Sequence, residues 1–356
     1  MKKTSAPAQK PLRRRSGSVG LKDVAAASGY STATVSWALR GLACVPDATK
    51  NKVLAAAEKL GYRPDPKLTE FAAYLQRRRR HRSDSTLALI THFPVDLKTT
   101  PWLMAKGIVA RAEELGYGTE VFQLDEAQGG YAPGELNRIL LARNIQGLIF
   151  ASMNKPTALE GFDWPQFSVV VSSHTLLQPR IHRVCHDHFQ SLLLACAKLK
   201  ERRYRRIGLV LDTAMDVRVN QLWRAAFLLH SDTSGEDAPP PLIEHPLTPD
   251  HLDRYIRTCR LDCLLYVGGQ SRDLILSVIQ KRKRLLSSDF GFAGLHIYPN
   301  EPAWAGIDQD DYHQGRALVD LTVSQILSNE RGVPSHRKTI LIDGIWRDGD
   351  SVRAEG

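Results

Sequence analysis

The chain has 356 residues, enough for two or three compact units, and its 43% hydrophobic and 24% charged residues are those of a globular protein rather than a disordered one. It has no run of about 18 uncharged apolar residues, and no apolar stretch follows the basic start "MKKTSAPAQKPLRRRSGS"; this argues against a spanning helix and a signal peptide and places the chain in the cytoplasm, with no membrane partner. The net charge of +10 is uneven: residues 1–82 hold 18 Lys and Arg against 5 Asp and Glu, the remainder 30 against 33, so the excess sits in one short segment, as a polyanion-binding segment requires.

Residues 1–18 read as a disordered basic tail. In "LKDVAAASG", Leu21, Val24, Ala25 and Ser28 fall at helical spacing and Gly29 supplies the stop. Ser31 is placed to cap a second helix with Val35, Ala38 and Leu39 as its buried stripe. A third helix is expected from Asp47 to Leu60, introduced by Pro46, with Val53, Leu54, Ala57 and Leu60 inward and Gly61 and Pro64 closing it. Three short helices with a tight turn between the first two describe a helix-turn-helix domain over residues 19–64. Residues 65–84 follow as a hinge helix and Arg-rich linker; Leu68, Phe71, Ala72 and Leu75 lie on one face ahead of "RRRR". So short a helix needs outside support.

After Asp84 the pattern alternates. Apolar runs at "STLALIT", "GTEVFQL", "IQGLIFA", "FSVVVSS", "RRIGLVL", "LDCLLYV" and "FGFAGL" are separated by amphipathic stretches such as "WLMAKGIVARAEELG" and "FQSLLLACAKLKERR". That predicts an α/β domain of doubly wound parallel sheets over residues 85–356, too long for one sheet and so two-lobed. The first lobe is expected at 85–173 and 304–343, the second at 174–303, the last helix and "KTILIDG" crossing back to the first.

The five cysteines are sparse and odd in number, and Cys259 and Cys263 lack metal or redox spacing, which makes them structural thiols. In "VCHDHF", His186 and His188 share a strand face, yet no third ligand is in view; Asp187 is better read as a helix cap, and no metal or cofactor is expected.

"LKDVAAASGYSTATVSWALRG" followed by "VPDATKNKVLAAAEKLGYRPDP" resembles the headpiece of the LacI/GalR family of transcriptional regulators, and the order of headpiece, hinge and two-lobed periplasmic-binding-protein-like domain matches the remainder. The resemblance implies a homodimer on a pseudo-palindromic double-stranded DNA operator, controlled by a small molecule, and so a repressor. It puts Thr32, Ala33 and Trp37 toward base edges and Ser31, Thr34 and Ser36 at phosphates or the cap. Where the family commonly has Arg, Trp37 stands; it either meets a thymine methyl or the sugar backbone, or packs in the headpiece core. Tyr62 matches a position on the DNA backbone, with Arg40, Lys50 and Arg63 as phosphate neighbours. Phe71 falls where the family inserts an apolar wedge into the minor groove, Leu68 and Leu75 lying on nearby turns.

Ligands of paired α/β lobes sit outside the carboxyl ends of the strands. Those ends supply His92, Phe93, Ser173, His174, Gln270 and His296, with Trp102 and Trp223 in first helical turns facing the same crevice. Family members that bind sugars tend to carry Arg at the place of Trp223 and Asp at that of His296, so the resemblance argues against an ordinary hexose; Trp102 and Trp223 either stack on a sugar, a sugar derivative or another flat ligand, or wedge between the lobes as core. The competing reading is a solute-binding or enzymatic α/β protein with an incidental basic N-terminus, but no phosphate loop, nucleophile elbow or H-E-x-x-H supports catalysis.

Overall fold

The structure, a computed structural model, describes residues 19–39, 45–62, 85–99, 102–124, 129–153, 155–233, 239–282, 286–298 and 303–355. The chain divides into two units, Met1–Arg78 and Arg79–Gly356.

In the first unit, α1 (Leu21–Ser28), α2 (Thr32–Leu39) and α3 (Asp47–Leu60) enclose a small core of Val24, Ala25, Val35, Ala38, Val45, Val53 and Ala57. Gly29 and Gly61 end α1 and α3 in the left-handed conformation, at φ 78° and 66°, where a side chain is strained. Leu54 departs from its expected inward place and is exposed. The stripe that packs runs through Val53, Ala56, Ala57 and Leu60, and Leu54 lies about 100° round the helix from Val53.

The second unit holds two six-stranded sheets. The first has the order β13-β7-β5-β3-β1-β2, all parallel: β1 (Thr86–Thr91), β2 (Gly118–Gln123), β3 (Gly147–Phe150), β5 (Ser168–Ser172), β7 (His182–His186) and β13 (Thr339–Ile342). A two-stranded ribbon of β4 (Thr157–Ala158) and β6 (Leu176–Gln178) lies beside it in sequence. Alternation along β1 sorts the two layers. Leu87 and Leu89 face α4 (Leu103–Glu114) and α11 (Asp311–Ser328); Ala88 and Ile90 face Leu136 and Leu140 of α5 (Pro133–Ala142).

The helices α4 and α11 cross at glycine. A Cβ on Gly107 would stand 2.0 Å from the Tyr312 carbonyl oxygen, and one on Gly315 2.2 Å from that of Met104, so backbone meets backbone and neither position tolerates a side chain.

The second sheet has the order β14-β12-β11-β10-β8-β9, with β8 (Ile207–Asp212), β9 (Leu242–Glu244), β10 (Cys263–Tyr266), β11 (Gly291–Ile297), β12 (Gly306–Asp308) and β14 (Ile345–Arg347); only β14 runs antiparallel. One face packs on α6 (His188–Glu201) and α8 (Leu222–Thr233), the other on α9 (Pro249–Thr258) and α10 (Gly269–Lys281). The six-residue α7 (Thr213–Arg218) follows β8.

The seven apolar runs of the sequence all appear as strands. The crossing between lobes differs from the expected residue 173, because β7 pairs with β5 and β13 in the first sheet and the chain passes over only at Asp187. Within the segment expected to return to the first lobe, 304–343, α11 and β13 do so, but β12 belongs to the second sheet, as does β14 beyond it. Three crossings result, after β7, after β12 and after β13. Cys185, Cys196 and Cys263 are buried and free, and burial pushes the thiols of Cys185 and Cys196 up to about 11 and about 12. Among the described residues no helix is long and apolar enough to cross a membrane.

Candidate functional sites

In the first unit, the Ser31 Oγ accepts from the Thr34 backbone N–H at 3.1 Å and lies 2.9 Å from the Thr34 hydroxyl, which fixes the start of α2. Ser31 and Thr32 are exposed at that end. Trp37 is 44% exposed, which decides against a place in the headpiece core. Lys50 is held by Asp47 at 3.1 Å, and Tyr62 rests partly on the headpiece core. Ala33 and Ser36 lie within α2 with side chains outside what is described; Arg40, Arg63, Leu68 and Phe71 lie outside the described residues altogether.

In the second unit, the carboxyl ends of both sheets open onto a cavity of about 540 Å³. Of the expected residues, Phe93, Trp102, Ser173, Trp223 and His296 line it. Gln270 instead faces an adjoining cavity of about 380 Å³, because α10 begins there and turns it away. His92 and His174 do not line the cavity; His174 Nδ1 accepts from Arg183 Nη1, 2.9 Å away, and so points back along β7.

The sequence reading missed Arg218, His186, His188 and Asp311 as wall residues. The two histidines were visible as a His-x-His pair, but its geometry differs from the strand reading: His186 ends β7 while His188 opens α6, and Asp187 between them caps α6 by accepting from the Gln190 N–H at 2.9 Å. The rings of His186 and His188 stand 5.1 Å apart edge to face, and His188 meets Trp223 at 4.8 Å in the same manner. Among the described residues no group of three His, Cys, Asp or Glu is placed to hold a metal ion.

Burial governs the protonation of this wall. It brings His186 down to about 4, with the neighbouring His296 adding to the effect, and puts His188 well below its ordinary value. Both rings are therefore neutral at pH 7, each with one donor and one acceptor nitrogen. Neither nitrogen of His186, nor Nδ1 of His188, nor the Trp223 indole nitrogen has a hydrogen-bond partner, although all are buried. On the opposite side Phe93 and Trp102 pack 5.4 Å apart. His296 Nε2 lies 3.4 Å from Asp311 Oδ2. The arrangement is a concave, half-polar slot with aromatic flanks, suited to holding a small ligand between lobes.

The headpiece matches the sequence profile of "Bacterial regulatory proteins, lacI family" over residues 20–65. The fold of the whole chain is shared with solved regulators. A structure of the Lac repressor dimer bound to operator and the anti-inducer ONPF is 18% identical, with a TM-score of 0.55 over 95% of this chain and all of that one. A complex of the transcriptional regulator CelR with cellobiose is 19% identical, with a TM-score of 0.53 over 94% of this chain and 99% of that one. Residues 20–65 are a headpiece of the lacI family. Among curated LacI-type relatives, the sucrose operon repressor of Shigella flexneri is 32% identical over 138 residues, which span 37% of this chain and 37% of that protein. The detectable sequence likeness thus covers little more than a third of the relative's length, and beyond it the likeness to solved structures is one of fold.

Proposed function

We propose that this protein is a sequence-specific DNA-binding transcriptional repressor, a cytoplasmic homodimer rather than an enzyme, whose headpieces read the halves of a pseudo-palindromic operator. A small molecule of the sugar type, held between the lobes of the second unit, controls it. The observation that carries the reading is the pairing in one chain of a capped, exposed α2 inside a strongly basic segment with a 540 Å³ slot at the carboxyl ends of two parallel sheets.

On this reading Thr32, Ala33 and Trp37 approach base edges, and Ser31, Thr34, Ser36, Arg40, Lys50, Tyr62 and Arg63 serve the phosphates. Leu68 or Phe71 wedges the minor groove. In the slot, Phe93 and Trp102 flank the ligand, and Trp223, Ser173 and His296 supply polar contacts. The names of two relatives, a sucrose operon repressor and a regulator complexed with cellobiose, support a carbohydrate class. Control requires only that the ligand bind one arrangement of the lobes better than another. Selection of bound sequences from random duplex DNA, followed by titration of the selected site with salt and with candidate sugars, tests the proposal. A site bound with steep salt dependence and altered by one sugar supports it; sequence-independent binding contradicts it.

A further inference from the structure

Resting on that reading of the slot as an effector site, we propose that the effector carries an anionic oxygen group, a carboxylate or a phosphate, seated on Arg218 and Ser152, as in a sugar acid or a sugar phosphate.

Arg218 ends α7 and forms part of the wall of both the larger cavity and the adjoining one. Among the described residues no carboxylate pairs with it: its one hydrogen bond is to the neutral hydroxyl of Ser152, at 2.9 Å, and burial lowers its pKa from the ordinary value. A guanidinium in such a place is a cation awaiting an anion, since burial without a counter-charge is costly and a charge-assisted pair offsets it.

The hydroxyls beside it add a second donor. Ser173 donates to Ser152 at 3.0 Å, so the Thr175 hydroxyl, 3.0 Å from Ser173, is the donor of that next contact. Thr175 in turn accepts from the Met153 N–H at 2.8 Å. Ser152 therefore accepts from both Arg218 and Ser173, and its own hydrogen is left for the cavity that it lines. The buried Trp223 N–H, unpartnered, is a third group that can only donate.

The acceptors lie elsewhere in the wall. Gln309 donates one amide hydrogen to the Leu295 carbonyl, and Gln314 donates to the Gln309 carbonyl and to Asp311 Oδ1 at 3.3 Å, which leaves the two side-chain amide oxygens and the remaining lone pairs of Asp311 to receive hydroxyl hydrogens. Arg218 with Ser152 as donors, and Gln309, Gln314 and Asp311 as acceptors in the same wall, fit a ligand that has both an anionic group and hydroxyls.

The test is calorimetric titration of the full-length protein with D-glucuronate, D-gluconate and D-glucose 6-phosphate against D-glucose and sucrose, repeated with Arg218→Gln and Arg218→Lys. At least one anionic sugar is expected to bind at least about tenfold tighter than any neutral one, the carboxylate and phosphate arms naming the group. Arg218→Gln abolishes that preference, whereas Arg218→Lys, keeping the charge, retains part of it and shows that the slot still folds. Neutral sugars bound as tightly as anionic ones, a preference that survives Arg218→Gln, or no binding of any anionic sugar would each overturn the proposal. Operator binding by the unliganded wild type is measured alongside: its loss sinks the repressor reading, while a neutral-sugar response with operator binding intact sinks only this one.

Discussion

Arg218, at the end of α7 in the second lobe, donates through Nη2 to Ser152 Oγ, just past β3 in the first, across 2.9 Å. It ties the two carboxyl ends together at the mouth of the slot, and the Ser173–Thr175 hydroxyl chain behind Ser152 anchors it to the loop after β5. Ser152→Ala removes the acceptor while leaving the arginine free to meet water. A part-buried hydrogen bond to a charged group contributes about 1 kcal/mol net in such surroundings, so the unliganded variant is expected to melt about 2–4 °C lower by scanning calorimetry. An unchanged melting temperature would show that the lobes are not held by this contact.

Trp37 is exposed on α2 where the family commonly presents Arg. Trp37→Arg is expected to change the preferred base at one position of each half-site in a selection from random DNA, leaving the other positions as they were. Because the side chain is not in the core, its removal changes headpiece stability by less than about 0.5 kcal/mol. A large loss of stability, or an unaltered base preference, would place Trp37 elsewhere.

Acid should loosen the second unit. His186 and His174 are both brought down to about 4, chiefly by burial, and His188 well below its usual value. In the unfolded chain these rings titrate near about 6.5. Between pH 6.5 and 4 the unfolded state therefore binds more protons than the folded one, and stability rises with pH across that window and levels above it. His186 is faced by His188 and His296, which oppose its protonation, and by Asp187 and Asp311, which favour it. Melting followed from pH 7.5 to 5 is expected to fall in wild type and to fall less steeply in His186→Gln. Equal slopes would rule out His186 as a contributor.

The crossing of α4 and α11 predicts two intolerant glycines. Gly107→Ala or Gly315→Ala drives a methyl into the opposing backbone and should cost about 1–3 kcal/mol or more. Gly134→Ala in α5, where a Cβ meets nothing within 4 Å, is the control and should be neutral or slightly stabilising. Urea midpoints for the three variants check the contrast.

What the sequence disclosed follows from how locally each feature is encoded. The three headpiece helices carry their own stops, Gly29 and Gly61, and the buried strands are unbroken apolar runs of Leu, Ile and Val, so both were legible. Strand β7 was misassigned because "HRVCH" carries His and Arg in a fully buried strand, a pattern that only tertiary partners can justify: His182 is met by Glu330 at 2.8 Å and Arg183 by His174. The three-residue strands β9, β12 and β14 are too short to show a period. Trp223 could be placed by its first helical turn and His296 by the carboxyl end of its strand, whereas Arg218 follows no motif. Its role depends on Ser152, 66 positions earlier in the chain.

A repressor of this kind needs one basic headpiece that reads a defined duplex and one inter-lobe ligand that alters that reading. The most direct measurement is fluorescence anisotropy of the purified full-length protein on its selected operator and on a scrambled duplex, in rising salt, with and without the sugar that binds the slot. Operator binding is expected to be at least about a thousandfold tighter than on the scrambled duplex at physiological salt, to weaken steeply with salt, and to shift on adding the sugar. Equal affinity for both duplexes, or operator affinity that no slot ligand alters, would contradict it.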